Sequence, residues 1–262
     1  MFISYIISFF VFLFGVCIGS FLNCLIYRLE EEKSLKGRSF CPHCKHTLFW
    51  YDLFPVLSFL FLRGKCRYCK AKISLQYPLV ELAAGIIFLL ISNFEFRISN
   101  QIEIFQFLNL AFLFYIASSL IVIFVYDLKH YLIPDKVLFP AIVISLIYNL
   151  TNWQNILNVF IALIIAAGFF LFIFLISKGR WMGFGDVKLA VLMGLLLGFP
   201  NILTALFLAF FFGAIIGIIL MVFEKKGLKS EIPFGPFLIA GTFLALLYGS
   251  QIIQWYLNFF QI

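Results

Sequence analysis

The sequence carries little charge. Asp, Glu, Lys and Arg together make up only 12% of its 262 residues, whereas a soluble domain carries about 25%. Hydrophobic residues make up 64%, and they form uncharged runs that are longer than the elements of a soluble core require. The shortage of charge therefore excludes an ordinary soluble domain and predicts an all-α polytopic membrane protein.

Several functional signatures are missing as well. The chain has three histidines, which leaves little room for histidine-based catalysis. It shows neither a nucleotide-binding glycine loop nor a serine–histidine–aspartate pattern. The net charge of +7 does not indicate nucleic-acid binding, because Lys and Arg in a membrane protein mainly set its topology. We therefore expect contact with membrane lipid and no nucleic-acid partner.

Uncharged runs indicate how often the chain crosses a membrane. They lie at residues 1–27, 82–94, 104–126, 137–177, 189–223 and 232–262. About 20 apolar residues cross a bilayer, so the fourth and fifth runs are too long for one span; they break at residues 149–155 and at Pro200. The sequence therefore predicts eight spans, and those near residues 137–150 and 189–199 are short enough to be tilted or partly inserted. The first run lacks the basic start of a cleaved signal peptide, so we expect it to remain as the first span.

The positions of Lys and Arg indicate the orientation of these spans. With the N-terminus outside, 18 of the 19 basic residues fall in inside loops, ten of them within residues 28–72. Only Arg97 falls outside, in the loop at residues 94–103. This distribution satisfies the positive-inside rule. It also places Asp127 and Asp186 at the cytoplasmic ends of spans.

Two Cys-x-x-Cys pairs lie in the one sizeable soluble segment, residues 28–72, and 21 residues separate them. The four cysteines are Cys41, Cys44, Cys66 and Cys69. Pairs at about this spacing are typical of a tetrahedral zinc site, and disulfides rarely persist in the cytoplasm. Four thiolates fill the coordination sphere, so we expect structural Zn²⁺. Disulfides remain an alternative, as does a catalytic zinc in which His43 or His46 replaces a thiolate.

Other features of the chain have more than one interpretation. Residues 50–65 are apolar but too short for a span, so they lie along the membrane surface or pack on the spans. Asn23 follows small residues that favour close helix packing, and it either packs or serves a site. Glu81, just inside the second span, either pairs with a nearby Lys or Arg or supports the active site. Residues 232–237 either line the site or start the last helix.

Two aspartates at predicted span ends carry the functional prediction. Asp127 ends the third span, and Asp186 follows Gly183 and Gly185 between two long apolar runs. Ionisable groups at such places are usually functional, and glycines admit the close approach of backbone or substrate. Asp135 stands at a predicted helix start, where it fits a cap. We therefore choose Asp127 as the partner of Asp186 and expect Asp135 to be structural or supporting.

Two close carboxylates suffice for peptide hydrolysis. The ionised one takes a proton from water, and the protonated one donates a hydrogen bond to the substrate carbonyl. Like charges at short distance do not both ionise, so the pair retains one proton and titrates as a unit. The alternative is that the aspartates are helix-end residues paired with Lys129 and Lys188. Their shared position on one side of the membrane favours a membrane-embedded aspartyl peptidase.

The combination of these features resembles the bacterial prepilin peptidases, the type IV leader peptidases that serve pilus, competence and type II secretion systems. The likeness rests on residues 19–23, the two cysteine pairs with residues 50–52 and 62–66 between them, and residues 77–81, 127–135 and 183–189. Intramembrane proteases of the presenilin type share the Gly-x-Gly-Asp element at residues 183–186. The cysteine pairs and both aspartates in this order make the likeness specific, and it covers nearly the whole chain.

The resemblance implies that Asp127 and Asp186 are the catalytic pair and that the four cysteines bind zinc. It implies prepilin or pseudopilin substrates, whose short basic leader is cut on the cytoplasmic side after a glycine and before an apolar helix. It also implies N-methylation of the new N-terminus with S-adenosylmethionine as an additional activity. The residues that we expect to support the site are Gly183, Gly185, Lys188, Asp135 and Glu81.

These expectations divide a protein of the bacterial cytoplasmic (inner) membrane into three parts. They are a first transmembrane helix at residues 1–27, a zinc domain at residues 28–76 and a peptidase core at residues 77–262. Two other functions compete with this one: a non-catalytic zinc-bearing assembly factor, and an ion- or proton-coupled transporter. A transporter should show internal repeats, and we find no convincing one. The sequence leaves the oligomeric state open.

Overall fold

The computed structural model describes residues 2–98, 104–151, 156–223 and 232–259, and within these ranges the regular structure is helical. The helices are α1 (Phe2–Glu30), α2 (Leu57–Phe61), α3 (Gln76–Ile98), α4 (Ile104–His130), α5 (Asp135–Thr151), α6 (Ile156–Ser177), α7 (Phe184–Leu197), α8 (Asn201–Phe223) and α9 (Gly235–Phe259). A 3-10 turn at Trp50–Asp52 precedes α2. The described residues contain isolated β-bridges but no strand. The all-α prediction is therefore confirmed for this part of the chain.

Six of these helices are long and apolar enough to cross a membrane, namely α1, α3, α4, α6, α8 and α9. The helices α5 and α7 have 17 and 14 residues. At 1.5 Å per residue they are about 26 and 21 Å long, whereas the hydrocarbon core is about 30 Å thick. They correspond to the two spans that we expected to be short. The prediction of a polytopic membrane protein is confirmed, and the count of eight spans stays a prediction.

Parts of the predicted connections lie outside the described residues. These parts are residues 99–103 of the outside loop, residues 152–155 of the polar break and residues 224–231 of the last basic loop. The N-out orientation therefore stays a prediction as well.

Local sequence explains where the two short helices begin and end. Pro134 precedes α5 and accepts hydrogen bonds from the backbone N–H groups of Val137 and Leu138, at 3.0 and 3.1 Å; proline suits the first turn of a helix. Gly198 ends α7 with φ +64° and donates its N–H to Gly194. That conformation is strained for residues with a side chain, and Pro200 follows soon after.

The chain forms two compact units, Met1–Val122 and Ile123–Ile262. In the first unit, glycines let α1 and α3 approach closely. A methyl group at Gly19 would lie 2.6 Å from the Cα of Glu81, and one at Gly85 would lie 2.6 Å from Val16. Small residues are the usual means of close helix packing in lipid, so this helix pair is fixed by steric fit.

Glycines also let the helices of the second unit pack closely. A methyl group at Gly194 of α7 would lie 3.1 Å from the Cα of Leu163 in α6, and one at Gly241 of α9 would overlap the carbonyl of Ala205 in α8. One polar contact is added between α5 and α7, where the Asn149 amide donates to the carbonyl of Leu195 at 2.9 Å. Close packing and a satisfied amide therefore hold α7, the helix that carries Asp186, against its neighbours.

Candidate active site and metal centre

Asp127 lies near the C-terminal end of α4 and is buried, with 4% of its surface exposed. The backbone N–H of Gly235, at the start of α9, donates a hydrogen bond to its carboxylate. A methyl group at Gly235 would overlap this carboxylate, so only glycine lets the start of α9 approach so closely. Residues 232–237, for which the sequence left two interpretations, thus do both: they start α9 and contact Asp127.

Asp186 lies in the first turn of α7, directly after the Gly-x-Gly pair. The backbone N–H of Gly183, the N-cap residue, donates to the Asp186 carboxylate. In return the Asp186 N–H donates to the Gly183 carbonyl at 3.3 Å. A carboxylate in the first turn also interacts favourably with the helix dipole. The carboxylate of Asp186 is close enough to Asp127 for the two charges to interact, so the fold brings both predicted aspartates together.

Ile133 lies close to the two glycines that adjoin these carboxylates, Gly185 and Gly235. Ile133 belongs to the loop between α4 and α5. A methyl group at Gly185 would lie 3.2 Å from its Cβ, and one at Gly235 would lie 3.6 Å from its Cδ1. The second glycine of the Gly-x-Gly pair therefore leaves room for Ile133 and not only for a substrate. Sequence reasoning did not select Ile133 or Gly235 as site residues, because an isoleucine or a glycine near a helix start carries no chemical signal by itself.

An ion pair between Lys188 and Asp135 joins α7 to α5. The Lys188 ammonium binds both oxygens of Asp135, at 2.6 and 2.8 Å. Lys188 also lies over the rings of Phe139 and Phe184, at 5.2 and 5.5 Å from their centres. In the described residues Lys188 thus pairs with Asp135 rather than with Asp186, contrary to the alternative in which it neutralises Asp186.

Glu81 and Asn23 belong to the first compact unit, where both have backbone partners. The buried carboxylate of Glu81 accepts the backbone N–H of Val56 at 2.7 Å and a hydrogen bond from Ser20. No Lys or Arg among the described residues forms an ion pair with Glu81. The buried amide of Asn23 donates to the carbonyl of Tyr77 at 3.0 Å. These contacts attach α3 to α1 and to the start of α2.

The four predicted cysteines converge on one point. Their sulfur atoms all lie within 4.8 Å of one another, and those of Cys41 and Cys69 are 3.9 Å apart. A tetrahedral zinc–thiolate site with bonds of about 2.3 Å places its sulfurs about 3.8 Å apart, whereas disulfide sulfurs are about 2.0 Å apart. All four thiols are free, and no histidine of the described residues joins the cluster. The cluster can therefore hold a metal ion such as zinc, and neither disulfides nor a histidine ligand fits it.

The two cysteine pairs adopt the same turn. Cys41 donates its N–H to His46 and accepts one from Lys45, both at 2.9 Å; Cys66 does the same with Ala71 and Lys70, at 2.8 and 3.0 Å. Lys45 and Lys70 both have φ near +60°. Each turn is closed by a β-bridge, Phe40 with Thr47 and Lys65 with Lys72. The repeated sequence Cys-x-x-Cys-Lys, visible in the chain, is the signal that could have predicted this symmetry.

Asp52 connects the apolar segment to the second cysteine turn. Its carboxylate accepts the Nε–H of Arg67 at 2.7 Å and the hydroxyl of Tyr68 at 3.0 Å. Burial opposes the charge of Asp52, but the hydrogen bonds from Arg67 and Tyr68 outweigh burial and hold the pKa of Asp52 below its usual range. The ring of His46 lies 3.8 Å from that of Tyr68. His46 thus packs beside the cysteine cluster without being part of it.

Family models and known proteins match most of the chain. Residues 13–94 match the model of the bacterial peptidase A24 N-terminal domain, and residues 114–218 match that of the type IV leader peptidase family. Two similar proteins are named prepilin leader peptidase/N-methyltransferase. The one from Bacillus subtilis is 34% identical over 95% of this chain and 97% of its own length, and the one from Legionella pneumophila is 33% identical over 94% and 93%.

No solved structure matches the chain. The similarity to these relatives nevertheless extends over both compact units, and it includes the region of the cysteine cluster and that of both aspartates. The chain therefore belongs to the type IV leader peptidase family.

Proposed function

We propose that the protein is a membrane aspartyl endopeptidase that cleaves the leader of type IV prepilin-like proteins, with Asp127 and Asp186 as its catalytic pair. The observation that carries the proposal is the meeting of these two carboxylates at the ends of α4 and α7, where each accepts one backbone N–H. The name of the relatives, prepilin leader peptidase/N-methyltransferase, supports the substrate class.

The catalytic cycle follows from two carboxylates that share one proton. The ionised carboxylate takes a proton from a water molecule, whose oxygen attacks the carbonyl carbon of the scissile peptide. The protonated carboxylate donates a hydrogen bond to the carbonyl oxygen, on which negative charge develops. The carboxylate that accepted the proton of water then gives it to the leaving nitrogen as the C–N bond breaks, which restores the pair with its one shared proton. Because the carboxylates act as a pair, the initial proton is not assigned to either one.

Two backbone hydrogen bonds fix the carboxylates for this task. The N–H groups of Gly235 and Gly183 orient Asp127 and Asp186, respectively, and leave the remaining oxygen lone pairs to water and substrate. Gly185 supports the site by admitting Ile133. The ion pair between Lys188 and Asp135 supports it by joining the first turns of α7 and α5. Glu81 supports the enzyme by attaching the start of α2 to α3.

The orientation of the protein completes the proposal. Eight spans with the N-terminus outside would put both aspartates at the cytoplasmic face of the inner membrane, where 18 of the 19 Lys and Arg residues would also lie. The resemblance to prepilin peptidases implies that the prepilin leader is cut on that face. N-methylation of the new N-terminus with S-adenosylmethionine is a second activity that the names of the relatives support.

The cysteine cluster is proposed to bind structural Zn²⁺. When bound, zinc would supply a crosslink between the two cysteine turns and no open coordination position. Burial opposes ionisation of Cys41, but the backbone N–H groups of Cys44 and His43 donate to its sulfur and lower its pKa to about 7. The backbone N–H of Ala71 stabilises the Cys69 thiolate, but burial and the neighbouring sulfurs outweigh it and raise the pKa of Cys69 to about 11. Zinc binding would therefore release protons from the cluster.

The decisive experiment compares cleavage of a prepilin in reconstituted membranes by the wild type and by Asp127→Asn, Asp186→Asn and Asp135→Asn at matched expression. Asparagine keeps the shape but cannot complete the shared-proton cycle, so the first two variants should lose at least about 100-fold in rate. Asp135→Asn is the matched control, since it alters a carboxylate of the same region and should lose at most about fivefold in rate, the effect expected when its ion pair with Lys188 is removed.

Two other outcomes would change the assignment. If Asp135→Asn is inactive while Asp127→Asn cleaves, the reaction stands but its first carboxylate is Asp135. If the wild type cleaves no prepilin and both aspartate variants still support function in cells, the protein is not a peptidase. A zinc-bearing assembly factor or a transporter would then explain the fold.

A further inference from the structure

A segment between the two cysteine pairs exposes large apolar side chains. We call residues 49–62 the aromatic segment; it comprises the 3-10 turn and α2. Its exposed apolar members are Phe49, Trp50, Tyr51, Leu53, Phe54, Leu57, Leu60 and Phe61. Trp50 and Phe61 are 70% and 83% exposed. Contiguous apolar patches of this kind usually contact a protein or a membrane.

The aromatic segment presents no net charge to its surroundings. Asp52 is its only charged residue, and the Asp52 side chain is 3% exposed because Arg67 and Tyr68 cover it. Residues 63–72, which follow directly, contain basic residues and no acidic one. The basic residues are Arg63, Lys65, Arg67, Lys70 and Lys72. An apolar face beside a basic stretch matches the boundary between lipid acyl chains and anionic headgroups.

A hydrogen bond places this segment beside a membrane helix. The N–H of Val56, the residue before α2, donates to Glu81 at 2.7 Å. The candidate membrane span of α3 begins at Gln76. Glu81 lies five residues further on, so its contact with Val56 is about 7.5 Å from the start of the span, measured along the helix axis. Val56 has a φ of 60°, which a β-branched residue rarely adopts. The start of α2 is thus held beside the span rather than beyond its end.

The aromatic segment therefore continues an exposed apolar surface of the candidate span α3. The same stretch of α3 exposes Leu79 and Leu82, and α2 follows directly after Val56 with exposed Leu57, Leu60 and Phe61. Tryptophan and tyrosine are enriched at the membrane–water interface, where an apolar ring and a polar edge are both satisfied. We propose that the aromatic segment inserts into the interfacial layer of the bilayer, with Trp50 and Phe61 in contact with lipid, and anchors the cysteine domain to the membrane surface.

The test measures how deeply Trp50 lies in reconstituted bilayers. The chain has four tryptophans, so replacing Trp153, Trp181 and Trp255 by Phe leaves Trp50 alone. Lipids brominated on the acyl chain should quench this fluorescence at least about twofold more than aqueous iodide does, because an interfacial ring reaches the acyl boundary. The proposal is overturned if iodide quenches Trp50 as efficiently as it quenches a tryptophan in water.

A matched control uses the same domain. Thr47 is exposed in the bridge that closes the first cysteine turn. In a variant that combines Thr47→Trp with Trp50→Phe and lacks the other tryptophans, iodide should be the better quencher. If a variant fails to retain the four-cysteine fold, judged by its bound zinc, Phe61→Trp in the Trp50→Phe background replaces it as the probe of the aromatic segment.

A second comparison tests the attachment through Glu81. Glu81→Gln keeps an oxygen that accepts the Val56 N–H, whereas Glu81→Ala removes it. Quenching of Trp50 by brominated lipid should persist in the first variant and fall in the second. If Trp50 is exposed to iodide until a prepilin is added and becomes protected only then, the aromatic segment is a substrate-docking surface and the lipid proposal is wrong.

Discussion

The cysteine domain and the membrane helices of the same chain are ordered by different forces. Within residues 31–75 only Cys41 and Cys66 are buried, so this domain has almost no apolar core. Hydrogen-bonded turns and a four-sulfur cluster organise it instead. The membrane helices meet at glycines where a single methyl group would overlap a neighbour, as at Gly235 and Gly241. Loss of one cysteine should therefore unfold the whole cysteine domain. A methyl group added at one glycine of the membrane helices should disturb only the contact at that position.

The largest effect should come from a methyl group at the proposed active site. Gly235→Ala would force its Cβ against the Asp127 carboxylate, and a displacement of about 1 Å at reacting groups can lower a rate about 100-fold. We expect a loss of this size in prepilin cleavage while the protein stays folded. The control is Gly217→Ala, because a methyl group there would have no neighbour within 4 Å. Equal activity of the two variants would contradict the assigned contact.

Loss of one cysteine should affect the other region as a whole. Cys41→Ser removes one of four sulfurs that lie within 4.8 Å of one another, and bound zinc should fall about tenfold, since structural sites require all four ligands. Elemental analysis of the purified protein measures this, and limited proteolysis of residues 31–75 measures the accompanying unfolding. Cys17→Ser in α1 is the control and should leave zinc unchanged. Wild-type protein with less than about half an equivalent of zinc would contradict the metal centre.

A charge exchange tests whether the ion pair beside the active site positions α7. Asp135→Lys alone should lower cleavage about fivefold, consistent with an ion pair worth up to about 1 kcal/mol. Adding Lys188→Asp should restore most of the activity, because the attraction between α5 and α7 returns with reversed polarity. The same exchange at Glu31 and Lys33, an exposed pair 2.9 Å apart, should change nothing. A double variant no better than the single one would show that the pair has no positioning role.

The smallest effect should come from Asp52→Asn. It weakens hydrogen bonds from Arg67 and Tyr68 that do not involve the metal ligands themselves, so zinc release to a chelator at neutral pH should accelerate about threefold. The pKa of Asp52 lies below its usual value. The ionised Asp52 therefore stabilises the folded cysteine domain at any pH above the ordinary carboxyl pKa. This stabilisation is lost as the pH falls through the lowered pKa of Asp52 in the folded protein. The ratio of release rates between variant and wild type should accordingly approach one in acid.

Much of the fold could be read from the positions of charged and apolar residues. The uncharged runs predicted the membrane helices and identified α5 and α7 as short, because crossing a bilayer requires a fixed length of apolar chain. The cysteine cluster was predicted for a similar reason, since zinc demands four ligands at a characteristic spacing. The aspartates were found because carboxylates are rare and costly at a membrane boundary.

Other contacts join residues whose types carry no such signal. Nothing in the sequence pairs Gly235 with Asp127, Ile133 with Gly185, Val56 with Glu81, or Asp135 with Lys188. Each of these contacts depends on which helix ends lie next to each other. That arrangement is set when helices far apart in the sequence pack together through small residues. The sequence alone predicts the long helices, the four cysteines that could hold a metal ion and the candidate residues for acid–base chemistry. The tertiary structure alone decided which backbone N–H groups and side chains face each carboxylate, because close packing selects one arrangement among those that hydrophobicity allows.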